Sequence, residues 1–257
     1  MNSPNSSDFS HPELLLDPTW DALFEQSPYP KPFAFNEEVA RVFDNMVSRS
    51  IPLYRETIAA AVYWTRAYYQ PGTRIIDVGC STGTFLELLG RFLPEPAILV
   101  GVDNAPAMLD KARQKLAALP NQHQVEFVCD RAEAVEFGNS SVVILNYTLQ
   151  FLPVHHRQHV LNAIHSGLVP GGLVFLSEKV KSPHPRFQEQ ITRHYEAFKA
   201  RNGYAQTEVE RKKEALENVL VPLTEAQQIA MLQTAGFEPI EILSKFHNFL
   251  TLVAEKT

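Results

Sequence analysis

The chain reads as a single α/β domain whose core is a parallel, doubly wound sheet, and three features carry that reading. From residue 74 to 177, short apolar runs alternate with helical patterns, the order expected of successive strand-helix-strand units. The first run, Ile75-Ile76-Asp77-Val78, breaks into Gly79-Cys80-Ser81-Thr82-Gly83 before a helix, as a buried central strand does on entering a glycine-containing turn. A second strand ends at Asp103, about 20 residues past Gly83, the distance at which a neighbouring strand delivers a carboxylate to the same end of the sheet.

Each element follows from its local pattern. Residues 1–32 are read as a disordered or extended lead-in, and 1–12 is rich in Asn, Ser and Pro. Asn36 is a fair N-cap for a helix over 36–46, where Val39, Val42, Phe43 and Met46 fall at helical spacing. A second helix over 53–69 stops at Pro71-Gly72, so 33–70 forms an N-terminal helical cap. The alternation then gives strand 74–78, helix 84–92, strand 98–102, helix 107–119 and strands 125–129 and 142–146. A helix over 155–168 closes at Pro170-Gly171-Gly172 and leads to a strand over 173–177. Residues 183–221 are polar, aromatic and charged, a helical insertion interrupted at Asn202-Gly203-Tyr204. After it come a last helix over 224–235, stopped by Gly236, and strands 240–244 and 249–255, an antiparallel C-terminal edge pair that brings the mostly parallel sheet to seven strands. The domain is drawn as 33–257.

Composition narrows the partners. At 257 residues and 45% hydrophobic content, one core is amply supplied. A net charge of -6 argues against broad nucleic-acid binding, and neither a direct nucleic-acid partner nor a membrane is expected. Cys80 and Cys129 lack Cys-x-x-Cys or Cys/His ligand spacing, so they read as reduced thiols of a cytoplasmic protein. Residues 1–17 lack the basic start and apolar core of a secretion signal, and no apolar run reaches membrane-spanning length. The nine histidines show no ligand spacing, and no metal is expected.

The turn after the first strand separates two cofactor classes. A dinucleotide fingerprint needs G-x-G-x-x-G, with the middle glycine clearing a pyrophosphate; here the pattern is Asp-x-Gly-x-Ser-x-Gly. That pattern resembles motif I of the class I S-adenosylmethionine-dependent methyltransferases, which bind no pyrophosphate. The acid at Asp77 suits the cationic amino group of a methionine moiety, directly or through water. Asp103 is placed to accept both ribose hydroxyls, with Asn104 toward the adenine or ribose side. Asp130, with Arg131 beside it, either meets the adenine amino group or caps the next helix. Asn146 ends the fourth strand, where the carboxyl ends of an open sheet form the ligand crevice; the alternative is a turn asparagine bonded to its own backbone. The charged run 208–214 reads, by periodicity alone, as a solvated helical face.

Four colinear stretches are similar to one family within that superfamily, the carboxy-S-adenosylmethionine synthases: 35–46 leading to Arg49-Ser50-Ile51-Pro52-Leu53-Tyr54, then Asp77-Val78-Gly79-Cys80-Ser81-Thr82-Gly83, then 145–152, then Leu216-Glu217-Asn218-Val219. Asp103-Asn104-Ala105-Pro106, Leu176-Ser177-Glu178-Lys179 and Arg201-Asn202-Gly203-Tyr204 extend the likeness. The resemblance implies that S-adenosylmethionine and prephenate are converted to carboxy-S-adenosylmethionine and phenylpyruvate. It implies a homodimer whose product serves modification of a tRNA wobble uridine. It also implies that Tyr54, Gly79, Cys80, Ser81, Asp103, Asn104, Asp130, Arg131 and Asn146 bind the nucleoside; no catalytic side chain is assigned.

One position departs from the family. Three residues before its Leu-Glu-Asn-Val the family carries an arginine, which reaches the added carboxylate from the neighbouring subunit; here that position is Lys213. A guanidinium offers two fixed parallel hydrogen bonds and a lysine a flexible point charge. Either Lys213 still receives the carboxylate, with Arg211 or Lys212 assisting, or the chain has moved to another substrate. An ordinary small-molecule methyltransferase and a non-catalytic nucleoside-binding protein are the competing functions.

Overall fold

A computed structural model describes residues 21–25, 33–119 and 122–257. Of the expected lead-in 1–32, residues 1–20 and 26–32 lie outside them. The short piece 21–25 is packed rather than extended: Phe24 is fully buried and Asp21 accepts a hydrogen bond from the Tyr204 hydroxyl at 2.6 Å, so the domain reaches back past the boundary drawn at residue 33.

The central strands are β1 (Arg74–Val78), β2 (Ile98–Val102), β3 (Gln124–Val128), β4 (Ser140–Asn146) and β5 (Leu168–Lys181), and β6 is the pair Leu223–Thr224. With β7 (Ile240–Phe246) and β8 (Phe249–Lys256) they form one sheet in the order β3-β2-β1-β4-β5-β8-β7, in which β6 pairs with the end of β5. The neighbours from β3 to β5 run parallel, while β8 is antiparallel to both β5 and β7. This is the expected sheet with one addition, β6, too short at two residues to leave a pattern in the sequence.

Strand alternation builds the core on both faces. Ile75, Leu99, Val142, Ile144, Leu173 and Phe175 point to one side, packed under α2 (Tyr54–Tyr68), α3 (Thr84–Phe92) and α4 (Pro106–Leu116). Ile76, Val100, Val143, Leu145, Val174 and Leu176 point to the other, under α5 (Val154–Gly167) and α8 (Glu225–Ala235). Both faces being covered explains why these strands are apolar throughout rather than at alternate positions.

The termini obey local chemistry. The Asn36 side chain caps α1 (Glu37–Ser50) by accepting from the Val39 amide at 3.0 Å. Thr224 and Gln227 form a capping box at the start of α8, and Gly236 ends it at φ +98°.

Two expectations are corrected. The strand expected over 173–177 begins at Leu168, because its register against β4 jumps from Ser140↔Leu168 to Val142↔Leu173 and Pro170-Gly171-Gly172 bulges out within the strand rather than ending a helix. The insertion forms α6 (Pro185–Arg201) and α7 (Gln206–Ala215), broken at Asn202-Gly203-Tyr204 as expected, but α7 is no solvated face. Glu208, Val209, Lys212 and Ala215 are buried. The Glu208 carboxylate accepts from the Ala205 amide at 2.7 Å, and the α7 lysine Lys212 donates to Ser50 on α1 at 2.8 Å, so charges that read as solvated are used inside the fold.

Candidate active site

The carboxyl ends of β1, β2 and β4 open into a cavity of about 900 Å³, covered by α1, the start of α2 and the two insertion helices. That volume is at the upper end of what a small-molecule site needs. Tyr54, Asp77, Gly79, Cys80, Ser81, Asp103, Asn104, Asp130, Arg131, Asn146 and Lys213 all line it.

Its floor is the turn after β1. The amides of Gly79 and Cys80 both donate to the Val102 carbonyl, at 2.8 and 2.9 Å, tying the turn to the end of β2. The Ser81 amide donates to Asp103 Oδ2 at 3.0 Å and the Ala105 amide to Asp103 Oδ1 at 2.9 Å, which fixes the carboxylate while each oxygen keeps a lone pair for a hydroxyl. Burial raises the Asp103 pKa against the pull of these amides. Asp77, 2% exposed, is pushed up to about 8 by burial, with the nearby Asp103 charge adding to it. A buried and a half-buried carboxyl, with no cation paired to either among the described residues, are suited to a cationic group.

The glycines serve packing. Gly79 has φ +75°, and a Cβ there would run into the Thr148 side chain, whose hydroxyl donates to the Val78 carbonyl at 2.6 Å. A Cβ on Gly83 would stand 2.8 Å from Leu116 Cδ1 and 3.0 Å from Ala112 Cβ on α4. The turn is shaped to receive the loop after β4 on one side and α4 on the other. Cys80 turns its sulfur toward Gly101 of β2, within the core, so it offers a ligand its backbone rather than its thiol.

The other expected residues divide by environment. Asn146 lines the cavity, and its side-chain oxygen is buried with no hydrogen-bond partner among the described residues, so it is not a turn asparagine bonded through that oxygen to its own backbone. Asp130 takes its own neighbour's amide, Arg131, at 2.7 Å, and no side-chain cap is made to the helical turn Ala132–Ala134. Tyr54 and Tyr147 are buried, and burial drives both phenol pKa values up, so both hydroxyls stay protonated. Asp44 on α1 accepts from Thr82 and Lys115, at 2.5 and 2.7 Å, joining the N-terminal helices to the turn and to α4.

Lys213 lies at the rim, its side chain 67% exposed, 3.4 Å from Glu196. Sequence reading overlooked two of the lysines behind it, Lys179 and Lys199, and named Lys212 only as assisting Lys213. Lys179 at the end of β5, Lys199 on α6 and Lys212 on α7 also line the cavity, beside Tyr195. Lys179 carries a signal in hindsight, standing at the carboxyl end of a central strand; Lys199 and Lys212 sit in helices whose many other charges conceal them. Among the described residues no group of His, Cys, Asp and Glu is arranged to hold a metal, and no helix is long and apolar enough to cross a membrane.

Comparison with known proteins gives this site a family. Residues 75–172 match the family described as Methyltransferase domain. A carboxy-S-adenosyl-L-methionine synthase of Trichodesmium erythraeum is 66% identical over 245 residues, 95% of this chain and 97% of the relative. The chain belongs to the carboxy-S-adenosyl-L-methionine synthase family. A second member, from Desulforapulum autotrophicum, is 41% identical over 92% of this chain and 96% of its own length. Among solved structures, magnesium protoporphyrin IX methyltransferase of Synechocystis, with bound SAM, superposes at a TM-score of 0.55 and 19% identity, over 83% of this chain and 85% of that one. That likeness shows the fold, and with the family it places this synthase-family chain among the transferases of the class I methyltransferase superfamily.

Proposed function

We propose that the protein makes carboxy-S-adenosyl-L-methionine from S-adenosylmethionine and prephenate, releasing phenylpyruvate and water. The observation that carries this is the 66% identity to a synthase over 95% of the chain, a span that has to take in the insertion helices as well as the nucleoside half of the site. In this reading Asp77 receives the methionine ammonium, Asp103 the ribose hydroxyls and Asn146 a polar group of the nucleoside, with Asp130 and Arg131 toward the adenine. The hydroxyl leaving prephenate takes a proton from the sulfonium methyl, and the ylide so formed bonds to the carbon dioxide released from the same molecule. No side chain need move a proton; the site's work is placement and exclusion of water.

The same reading includes a cytoplasmic homodimer whose insertion helices complete each other's sites, and a product used in tRNA wobble-uridine modification. Lys213 then receives the new carboxylate as a single charge where the family's arginine would use two hydrogen bonds. Substrate drift at Lys213, toward ordinary methyl transfer to another acceptor, is the second reading. Mass spectrometry of S-adenosylmethionine incubated with the protein, with and without prephenate, decides between them. A species heavier by one carboxyl group that accumulates only with prephenate supports the synthase; S-adenosylmethionine unchanged by prephenate refutes it.

A further inference from the structure

The side of the cavity away from the acids is built from ammonium groups. Lys179 Nζ lies 4.9 Å and Lys199 Nζ 4.6 Å from the centre of the Tyr195 ring, and neither is hydrogen-bonded or ion-paired among the described residues. Lys212 Nζ donates to Ser50 Oγ at 2.8 Å and stands 3.5 Å from the Tyr204 hydroxyl. The acids that face this group are few and mostly used elsewhere. Glu196 pairs with Lys213 at the rim, Glu208 takes the Ala205 amide, and Asp21 takes the Tyr204 hydroxyl.

Such an arrangement is costly for an empty protein. Burial, joined by the nearby Lys212 and Lys179 charges, lowers the Lys199 pKa to about 7. Burial likewise brings Lys179 and Lys212 to about 8; the Lys213 charge adds to the first, while the Asp21 charge opposes the second. Like charges crowded in a low-dielectric pocket are relieved by an anion. One carboxylate, such as the one S-adenosylmethionine carries, needs one such partner; two buried lysines and the half-buried Lys179 call for a second ligand with more than one negative charge. Beside them Tyr195 packs edge-on to Phe249 at 5.3 Å, and Phe249 to Tyr147 at 5.9 Å, an aromatic wall next to the charges.

We infer that Lys179, Lys199 and Lys212 hold the carboxylates of the second substrate, a small dicarboxylic acid whose ring rests on Tyr195 and Phe249. The inference rests on the synthase reading and deepens it by assigning the acid to these residues. It separates the duties of the cavity: acids hold the sulfonium nucleoside, lysines hold the carboxyl donor, and the two meet between Asp77 and Lys179.

The test uses Lys179→Met and Lys199→Met, which remove the charge and keep an apolar stem, and Lys199→Arg, which restores the charge. Prephenate is titrated calorimetrically into full-length protein loaded with S-adenosylhomocysteine, alongside its KM in turnover. Each methionine variant is expected to weaken prephenate binding roughly tenfold to a hundredfold, the range for a lost hydrogen bond between charged groups. The Kd for S-adenosylmethionine should not change, and Lys199→Arg should recover most of the loss. Replacing an unpaired buried charge by an apolar side chain should leave the melting temperature equal or higher, which separates the expected effect from misfolding. Unchanged prephenate affinity in both methionine variants overturns the inference, and so does a loss confined to carboxy-S-adenosylmethionine, which would give the lysines to the product's carboxylate. Lysine-dependent prephenate binding with no carboxylated product supports the inference and refutes the synthase reading; no prephenate binding to the unaltered protein overturns both.

Discussion

Asp77→Asn probes the site through its electrostatics. Asp77 is 2% exposed at the end of β1, its carboxylate makes no hydrogen bond among the described residues, and burial together with Asp103 raises its pKa from 3.8 to about 8. Between those values the unfolded chain has lost the proton that the native protein keeps, so this group lowers stability as pH rises from about 4 to about 8. At about 1.4 kcal/mol per unit, the full cost above the folded pKa is on the order of 5 kcal/mol, and it vanishes in the neutral asparagine. Lys179, Lys199 and Lys212 have lowered pKa values and act with the opposite sign from neutral pH upward, so the difference between wild type and variant is the quantity to follow. Melting curves from about pH 5 to about pH 9 should show the variant gaining on wild type by a few kcal/mol as pH rises. A ligand ammonium reverses the logic: at pH 7 the wild-type carboxyl, about nine-tenths protonated, should ionise and release nearly one proton on binding S-adenosylmethionine. The asparagine should release none at this position and bind roughly tenfold to a hundredfold more weakly. Calorimetry in two buffers of different ionisation enthalpy measures the proton count. Equal proton release and equal affinity in both proteins would refute the placement of the ammonium at Asp77.

Three further substitutions follow from the same geometry. Gly79→Ala combines a φ of +75° with a clash against Thr148 and should cost on the order of 2–4 kcal/mol in urea unfolding, partly recovered by Thr148→Ala; a neutral Gly79→Ala would contradict the contact. Asn146→Ala gives up no side-chain hydrogen bond among the described residues, so it should change unfolding free energy by less than about 1 kcal/mol yet weaken S-adenosylmethionine binding roughly fivefold or more, both measurable on one sample. Lys213→Arg should bind carboxy-S-adenosylmethionine several-fold tighter and Lys213→Ala weaker, because a guanidinium grips a carboxylate with two bonds; equal affinities across the series would remove Lys213 from the carboxylate's reach.

The legible parts of the molecule are those where one physical rule decides. The strands β1, β2 and β4 are apolar because both faces are covered, and the helix ends at Asn36 and Gly236 follow from capping chemistry, so each could be read from its own neighbourhood. That Asp77, Asp103 and Asn146 line the cavity was legible because a parallel sheet brings the carboxyl ends of its strands together. What stayed hidden depends on contacts between distant segments. β6 exists because Leu223 meets Val180, and the bulge at Pro170-Gly171-Gly172 exists because β4 sets the register of β5. Lys212 reads as one charge in a charged helix until α7 is laid against Ser50. The glycine turn was legible in place, but the room that Gly79 and Gly83 leave for Thr148 and α4 depends on distant segments and was not.

The most direct test of the central claim follows a single carbon. Prephenate labelled with carbon-13 in its ring carboxylate is supplied to the protein with unlabelled S-adenosylmethionine, in buffer holding unlabelled bicarbonate, and the nucleoside is examined by mass spectrometry and NMR. Carboxylation by carbon dioxide held within the cavity predicts the label in the new carboxyl of carboxy-S-adenosylmethionine, with phenylpyruvate formed in equal amount. Product carrying unlabelled carbon from the buffer, or phenylpyruvate formed without any carboxylated nucleoside, would contradict it.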